Sequence, residues 1–444
     1  MALPLALFAL VMLSGLLLAF LTMAGMEPTI AANLADTARA RYVADAGVEW
    51  AYDQLASNPT TWSAILAANG GTMATNMTLP GLTATNGTFT VTVRNDNQAN
   101  DNQMTGQPVD TGNDVTDTNN VVILTATGNL PNGSSRQIQV VVSRVPFPLP
   151  PGTVSLTGQT QVSLPGNMEI NGNDTLAGST TAGDGACAPR YAMTIPNGGN
   201  EAAFEAGLNP SELQTGKNAK IKGKAQDPSK PGEGVNAIAP EEPSDLTSQQ
   251  VTDFVNAVKG RADIVLNSTA ADPLVFSNNQ AGGIATKGQN GTIGPSCATD
   301  WNSKTCWGIP ADPTTNTPAK PKIVYVSAQT PNPTMPFNPA SLEVRDIKGA
   351  GILIVENGTF FLNGAPGWQG LIIVTGKDIG FQICCGQIHE VWGSIVINET
   401  NAAEVPLNVD FTGGQHSDLY YSCQAINNAL NVRAAIRLTS WRER

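Results

Sequence analysis

The side chains of this chain that are best suited to chemistry are carboxylates, and they are concentrated in an Asn- and Asp-rich segment between residues 95 and 120. Carboxylate and amide oxygens are the hard ligands that Ca²⁺ prefers. Their spacing does not follow the EF-hand loop, so the pattern predicts a calcium site of another kind. The alternative is a solvated acidic loop without a metal. The candidate ligands are Asp96, Asp101, Asp110, Asp114 and Asp117.

Catalytic groupings have little support in the sequence. Glycoside hydrolysis needs two carboxylates held roughly 5–10 Å apart, and the acidic residues of the C-terminal part fall in different repeating segments. His416, Ser417 and Asp418 are consecutive, so they cannot form a catalytic relay. We therefore predict no enzymatic activity, and a carbohydrate-active enzyme is the less favoured interpretation. The dispersed carboxylates are Asp346, Glu356, Asp378 and Glu390.

The cysteines indicate disulfide bonds in an oxidising compartment. Their number is even, and the chain has an export-type start. CxxC and CxxCH motifs are missing and there are only two histidines, which excludes the usual zinc and c-type haem signatures. Cys297 and Cys306 are near enough in sequence to close a local loop, and the other pairings remain open. The candidates are Cys187, Cys297, Cys306, Cys384, Cys385 and Cys423.

Length and composition limit the class of protein further. With 444 residues the chain is long enough for two or three domains. Its 44 glycines and 30 prolines argue against an all-helical protein. The net charge of −12 argues against nucleic-acid binding, which needs a basic surface.

The first structural element that the sequence predicts is a long N-terminal helix. Met1 to Gly25 carries no charge, and this exceeds the ~20 apolar residues that span a bilayer. A signal peptide would begin with basic residues, but the first basic residue here is Arg39. From Thr29 to Leu55 the apolar residues recur at helical spacing. The pattern predicts one continuous helical rod, roughly 80 Å long. The alternative interpretation of this segment is a simple membrane anchor.

The remainder of the chain is predicted to be mainly β-structure. Gly87 to Val93 alternates as a strand, and Val121 to Ala126 and Arg136 to Val142 form two more. "VPFPLPPG" then indicates a stiff linker, because prolines cannot occupy a helix interior or a central strand. Further on, β-branched runs preceded by glycine recur about every twenty residues, as stacked units of a β-solenoid require. These runs are Ile352 to Val355, Leu371 to Val374 and Ile395 to Ile397.

Together these patterns predict an α+β fold with four parts. Residues 1–58 form the stem helix, residues 59–144 form a small β head that carries the Asp/Asn loop, and residues 145–152 form the linker. Residues 153–444 form a β-solenoid-like domain with a polar insertion at about 175–321. One helix is expected within the insertion, opened by a capping box of Thr247 and Gln250.

Several segments resemble type IV pilins. "ANLADTARARYVADAGVEWA" is similar to the stems of PilX-type minor pilins and of the tip pseudopilin of type II secretion. The order of head strands, proline linker, "GAGILIV", "WQGLIIVTG" and "SWRE" is similar to long pilus-assembly proteins that join a PilX-type N-terminus to a solenoid-like domain. The stem and the C-terminal repeats cover about half of the chain.

This resemblance implies a structural subunit of an extracellular, pilus-like filament on the cell surface, serving in attachment or adhesion. A prepilin peptidase would remove a basic leader, leaving Met1 as the methylated N-terminus. The helix would anchor the subunit in the inner membrane until the pilus assembly machinery adds it to copies of itself. Calcium is the expected cofactor, and haem is not expected. The leucines expected in the filament core are Leu3, Leu5, Leu10, Leu17 and Leu21.

One departure from the pilin pattern bears on the role. Pilins usually carry Glu at the fifth position, where this chain has Leu5. A carboxylate partner for a neighbour's N-terminal amine is therefore missing, which suits a minor or tip pilin that primes assembly. The preferred interpretation is nonetheless a filament in which the chain repeats, with its helix interrupted between Gly15 and Pro28.

Overall fold

The computed structural model describes most of the chain and divides it into two units. Unit 1 contains Met1–Arg144 and Ile436–Arg444, and unit 2 contains Val145–Ala435. The described residues are 2–57, 62–78, 81, 83–144, 147–158, 168–183, 187–240, 246–276, 297, 300–330, 340–345, 348–363, 367–384, 389–401, 409–413, 417–430 and 436–443.

Unit 1 is built on one long helix, α1 (Ala2–Ser57). Its first half is exposed, and its second half buries one apolar stripe that starts at Ala40 and ends at Leu55. The helix continues through Pro28, so the interruption expected near that residue is not present in the isolated chain. A proline removes one backbone donor, but the helix can pass through when its neighbouring turns remain bonded.

The sheet of unit 1 packs against the second half of α1. It is antiparallel, with the strand order β1-β2-β3-β4-β21. The strands are β1 (Thr72–Met77), β2 (Thr88–Asn95), β3 (Val121–Asn129), β4 (Ser135–Arg144) and β21 (Ile436–Glu443), and two short helices are α2 (Ser63–Ala67) and α3 (Asn102–Thr105).

The final strand corrects the predicted extent of the C-terminal domain. We expected residues 153–444 to form one domain, but β21 pairs with β4, with Ile436 opposite Arg144. The buried backbone N–H and C=O groups of β4 need partners on both of its edges. β3 provides one partner and β21 provides the other. Unit 2 is therefore inserted between two neighbouring strands of unit 1.

Unit 2 consists of two sheets whose strand pairs are parallel. Strands β10 to β20 alternate between the sheets along the chain, so one strand of the first sheet and the next strand of the second form one coil. The first sheet contains β5 (Gly152–Gly158), β6 (Met168–Asn171), β7 (Tyr191–Ile195), β8 (Ile221–Lys222), β9 (Ile238–Pro240), β10 (Ile264–Asn267), β12 (Lys322–Ser327), β14 (Lys348–Glu356), β16 (Gly367–Gly376), β18 (His389–Glu399) and β20 (Ser417–Tyr420). The second contains β11 (Leu274–Phe276), β13 (Leu342–Arg345), β15 (Thr359–Asn363), β17 (Gly380–Cys384) and β19 (Val409–Gly413).

The main core of unit 2 lies between these sheets, and its rows of side chains are in register. Leu353, Ile372 and Ile395 are buried neighbours on successive strands. The outer face of the first sheet is covered by α5 (Ser248–Val258) and α6 (Cys423–Leu430), and α4 (Gly198–Ala206) packs near β7 and β9. The mixed α+β class is confirmed; β-solenoid remains our interpretation of the coils.

The predicted polar insertion is not separate from the sheets. Strands β7 to β11 fall within residues 175–321, and Met193, Ile238 and Ile264 belong to the main core. These strands have only two to five residues each, so their period is hidden among turn residues. The helix expected there is α5, and Thr247 and Gln250 form its capping box.

Candidate assembly helix and carboxylate loop

The first half of α1 exposes an unusual amount of apolar surface. The solvent-exposed fractions of Leu3, Leu10, Leu17 and Leu21 are 80%, 69%, 57% and 63%. Most of the exposed large apolar side chains in the described residues lie on this one helix. Soluble proteins rarely expose a continuous apolar surface of this size, and such a surface normally marks a protein or membrane contact.

The apolar residues surround the helix, which limits what can cover it. Leu16, Leu17 and Leu18 are consecutive and point in three directions, and each is more than half exposed. By length and composition the helix could cross a membrane, with a mean hydropathy of 2.4 over its most apolar window. Met1 and the side chain of Leu5 lie outside the described residues.

The second half of α1 is held firmly by the head. Gly128 on β3 allows a close approach, since a Cβ there would lie 2.2 Å from the carbonyl oxygen of Ala40. The Tyr52 hydroxyl donates a 2.7 Å hydrogen bond to the carbonyl of Ile436 on β21. Helix, sheet and final strand therefore form one folded body from which the apolar half of the helix continues.

For two of the predicted calcium ligands, hydrogen-bond donors of the protein lower the pKa of the carboxyl group. Asp101 accepts two hydrogen bonds from the Arg94 guanidinium, at 2.6 and 2.7 Å. Burial opposes ionisation of Asp101, but the bonds from Arg94 outweigh it, and the pKa is lowered. Asp110 accepts hydrogen bonds from Asn95, from the Gly112 backbone and from Thr118. These donors outweigh burial and lower the pKa of Asp110 to about 2.

The other candidate ligands differ in their surroundings. Asp96 is completely buried and accepts two 3.1 Å bonds from one amide, that of Asn119. Burial is the main cause that raises its pKa to about 6. Burial also raises the pKa of Asp117, and its Oδ1 is buried without a hydrogen-bond partner. Asp114 is exposed and accepts a 2.8 Å bond from Asn97.

The loop has a packing role that sequence reasoning missed. Its short helix α3 places Met104 against Val121, Ile123 and Val141, so the loop covers the face of the sheet that α1 leaves open. In the described residues, no three acidic, histidine or cysteine side chains are grouped closely enough to hold a metal ion. Calcium binding therefore stays a prediction.

Four of the cysteines form two disulfide bonds. One joins Cys297 to Cys306, and the other joins Cys187 to Cys423 at the start of α6. Cys385 and the side chain of Cys384 lie outside the described residues. The sequence separation of nine residues made the first pair foreseeable, whereas the second spans 236 residues and depends on the fold.

Two of the dispersed carboxylates of unit 2 have separate ion-pair partners. Glu356 pairs with Lys259 at 3.1 Å and accepts a hydrogen bond from Tyr325. Asp378 pairs with Lys377 at 3.5 Å, and Glu390 is exposed on β18. Asp346 lies outside the described residues. Glu356 therefore attaches the segment that follows α5, and Asp378 forms an ion pair within the turn after β16.

Comparison with known proteins gives similarity among solved structures. No family model and no curated protein sequence matches the chain. A crystal structure of the competence-associated pilin ComZ from Thermus thermophilus aligns over 92% of this chain and 98% of its own, at 12% identity and a TM-score of 0.23. Because this score is low, the description of the chain as pilin-like depends on its own long helix and head sheet.

Proposed function

We propose that the chain is a structural subunit of an extracellular pilus-like filament, assembled through the apolar half of α1. The observation that supports this most strongly is the contrast within one helix. Its second half is built into a folded head, whereas its first half exposes leucines on every side. Burying one such leucine provides ~2 kcal/mol, so packing many of them between copies would stabilise a bundle.

The same surface supports a membrane-anchored stage before assembly. The helix meets the length and composition needed to cross a bilayer, and a subunit held there would be delivered to the pilus assembly machinery. The units outside the membrane would be displayed on the cell surface, where unit 2 serves attachment.

The test is substitution of Leu10 by Asp. Leu10 is 69% exposed in the isolated chain, so the change should leave both units folded. A carboxylate in a dry helix bundle is costly, and we expect no filaments by electron microscopy. Leu10→Met is the matched control, because it keeps the side chain apolar, and it should assemble. Normal filaments from Leu10→Asp would refute assembly through this surface.

The second candidate is a minor or tip subunit that primes assembly. Leu5 favours it, because the position lacks a carboxylate that could pair with a neighbouring terminal amine. A repeating subunit must compensate for a buried amine in every copy, since an unpaired buried charge costs several kcal/mol. Quantitative mass spectrometry of purified filaments separates the two: many copies support the repeating subunit, and a single copy supports the tip.

Calcium binding by the head loop is a subsidiary proposal. Asp96 and Asp117 have raised pKa values because burial disfavours their charge, and a bound cation would relieve this. We expect Ca²⁺ to raise the unfolding temperature of unit 1 and Asp117→Asn to remove most of that increase. An identical unfolding temperature with and without Ca²⁺ would leave the loop as a metal-free cover of the sheet.

A further inference from the structure

A recess of about 710 Å³ opens in unit 2 where four successive coils turn from the first sheet into the second. Its floor contains Ser268 and Ala328, which are only 3% and 4% exposed. Its rim contains Asn267 and Gln329, whose side chains are exposed. The recess is therefore formed by corner residues and not by the apolar core.

The corners are held in position by the backbone. The ladder of hydrogen bonds continues past the strand ends: Ser268 N–H donates to the Ser327 carbonyl, and Ala328 N–H donates to the Glu356 carbonyl, both at 2.8 Å. The next corner continues it, with Asn357 N–H donating to the Thr375 carbonyl at 2.9 Å. Adjacent strands are ~4.8 Å apart, so the polar side chains of the corners are spaced regularly along the recess.

Side-chain bonds fix the wall of the recess. The Thr330 hydroxyl donates to the Asp378 carbonyl at 2.7 Å, which joins two corners that are 48 residues apart. The Lys377 N–H donates to Oδ1 of Asn357 at 3.0 Å. The recess is thus preformed, and a ligand would not need to order these turns when it binds.

The chemistry of the lining favours a neutral, hydroxyl-rich ligand. Among the described residues the lining is mainly amides and hydroxyls, and its two charged side chains, Lys377 and Asp378, pair with each other at 3.5 Å. A ligand of either charge would therefore meet no net opposite charge. The amides of Asn267 and Gln329 each offer both donors and an acceptor, which is what the hydroxyl groups of a sugar require.

We propose that this recess is a binding site for a neutral oligosaccharide that lies across the coil corners. The volume falls in the range of about 300–1,000 Å³ typical of small-molecule sites. The proposal goes beyond filament assembly and does not depend on it, because unit 2 carries the recess and α1 carries the assembly surface.

The test uses the full-length protein in a detergent that has no sugar head group, so that the detergent cannot compete. Hexasaccharides of β1,4-linked glucose, β1,4-linked N-acetylglucosamine and α1,4-linked glucose are titrated separately by calorimetry. We expect saturable binding of at least one, and at least a tenfold weaker affinity in the double variant Asn267→Ala, Gln329→Ala. The matched control is Gln214→Ala, an exposed amide outside the recess, which should bind as the unaltered protein does.

Two results would overturn the proposal. One is the absence of binding by all three hexasaccharides at about 10 mM. The other is binding that the double variant does not weaken. Electron microscopy of the double variant gives an independent readout: it should form filaments like the unaltered protein, so a failure of saccharide binding is distinguishable from a failure of assembly.

Discussion

Asp96 and Asp110 of the head loop are both buried, yet their environments act on their charge in opposite directions. Asp110 has donors on both oxygens, from Asn95, Gly112 and Thr118, and its pKa falls to about 2. Among the described side chains the Asn119 amide alone donates to Asp96, so burial dominates and the pKa of Asp96 rises to about 6. The number of donors, and not depth alone, decides which carboxylate stabilises the head at neutral pH.

Asp110→Asn should destabilise unit 1 by about 2 kcal/mol at pH 7. Because the folded pKa of Asp110 is below its ordinary value, its contribution is present above about pH 4 and is lost as the pH falls towards 2. The difference between the two proteins should therefore shrink below pH 4. Hydrogen exchange of the β2 and β3 amides measures this difference in stability at each pH.

Asp114→Asn is the control for that measurement, because Asp114 is exposed and accepts a single side-chain bond from Asn97. This substitution should change the free energy of unfolding of unit 1 by less than about 0.5 kcal/mol. Asp96 contributes in the opposite sense, losing stability as the pH rises from about 4 to about 6. Asp110→Asn reduces this loss, because the charge of Asp110 is one cause of the raised pKa of Asp96. A difference that stays constant from pH 7 to pH 2 would contradict the role given to Asp110.

The aspartates could be located in the sequence, but their partners could not. Composition alone indicated a carboxylate-rich loop. The salt bridge of Asp101 with Arg94 crosses from a strand into the loop, and the contact of Met104 with the sheet depends on how the loop folds back. Such contacts are set by tertiary packing, which no local pattern records.

Three glycines occupy positions in the stacked strands of unit 2 where no side chain can be accommodated. Gly351, Gly370 and Gly393 are in register on β14, β16 and β18, and their φ angles are 127°, 131° and 139°. A Cβ on Gly370 would lie 2.2 Å from the carbonyl oxygen of Gly351. A residue with a side chain is excluded here both by its backbone conformation and by the neighbouring strand.

Gly370→Ala should therefore destabilise unit 2 by about 3 kcal/mol or more. Its Cβ would also lie 2.8 Å from the Cβ of Ala429, so it presses on α6 as well as on β14. Gly260→Ala is the control, because a Cβ there meets no atom within 4 Å. Scanning calorimetry of the full chain should show a lower unfolding temperature for Gly370→Ala only. Equal unfolding temperatures for the two variants would contradict the steric argument.

Regular elements were the most predictable part of the fold. The helix of residues 2–57, the three head strands and the glycine-preceded strands have strong periodic patterns, and each is present. The short strands β7 to β11 were missed, because two to five residues are too few to show a period. The pairing of strand β21 with β4 was not foreseeable, because the two strands are far apart in the sequence.

At the scale of the whole molecule, unit 2 takes the place of a hairpin loop. β4 and β21 are antiparallel neighbours with Arg144 opposite Ile436, and residues 145–435 connect them. Strands this close can be joined by a two-residue turn. The head therefore has all its elements without unit 2, which is consistent with a second unit added to an existing head.

Replacing residues 145–435 by Asn-Gly should give a folded head that still assembles. The pairing of β4 with β21 is kept, as is the bond from Tyr52 to Ile436. The control is a chain that stops at Arg144 and so lacks β21; it should lose protection of the β4 amides in hydrogen exchange. If the Asn-Gly chain is as unprotected as this control, then the head depends on unit 2 to fold.

The insertion also decides how the protein responds to mechanical load and to cleavage. Unit 2 is attached at two points, so tension on it is divided between β4 and β21, which leave the sheet at the same end. A pull along these strands moves both in the same direction, so it loads the hydrogen bonds between β3 and β4 in shear and does not load those between β4 and β21. A protease that cuts unit 2 once leaves one fragment continuous with β4 and the other continuous with β21, which its hydrogen bonds to β4 hold in the sheet. Two cuts are needed to release any segment.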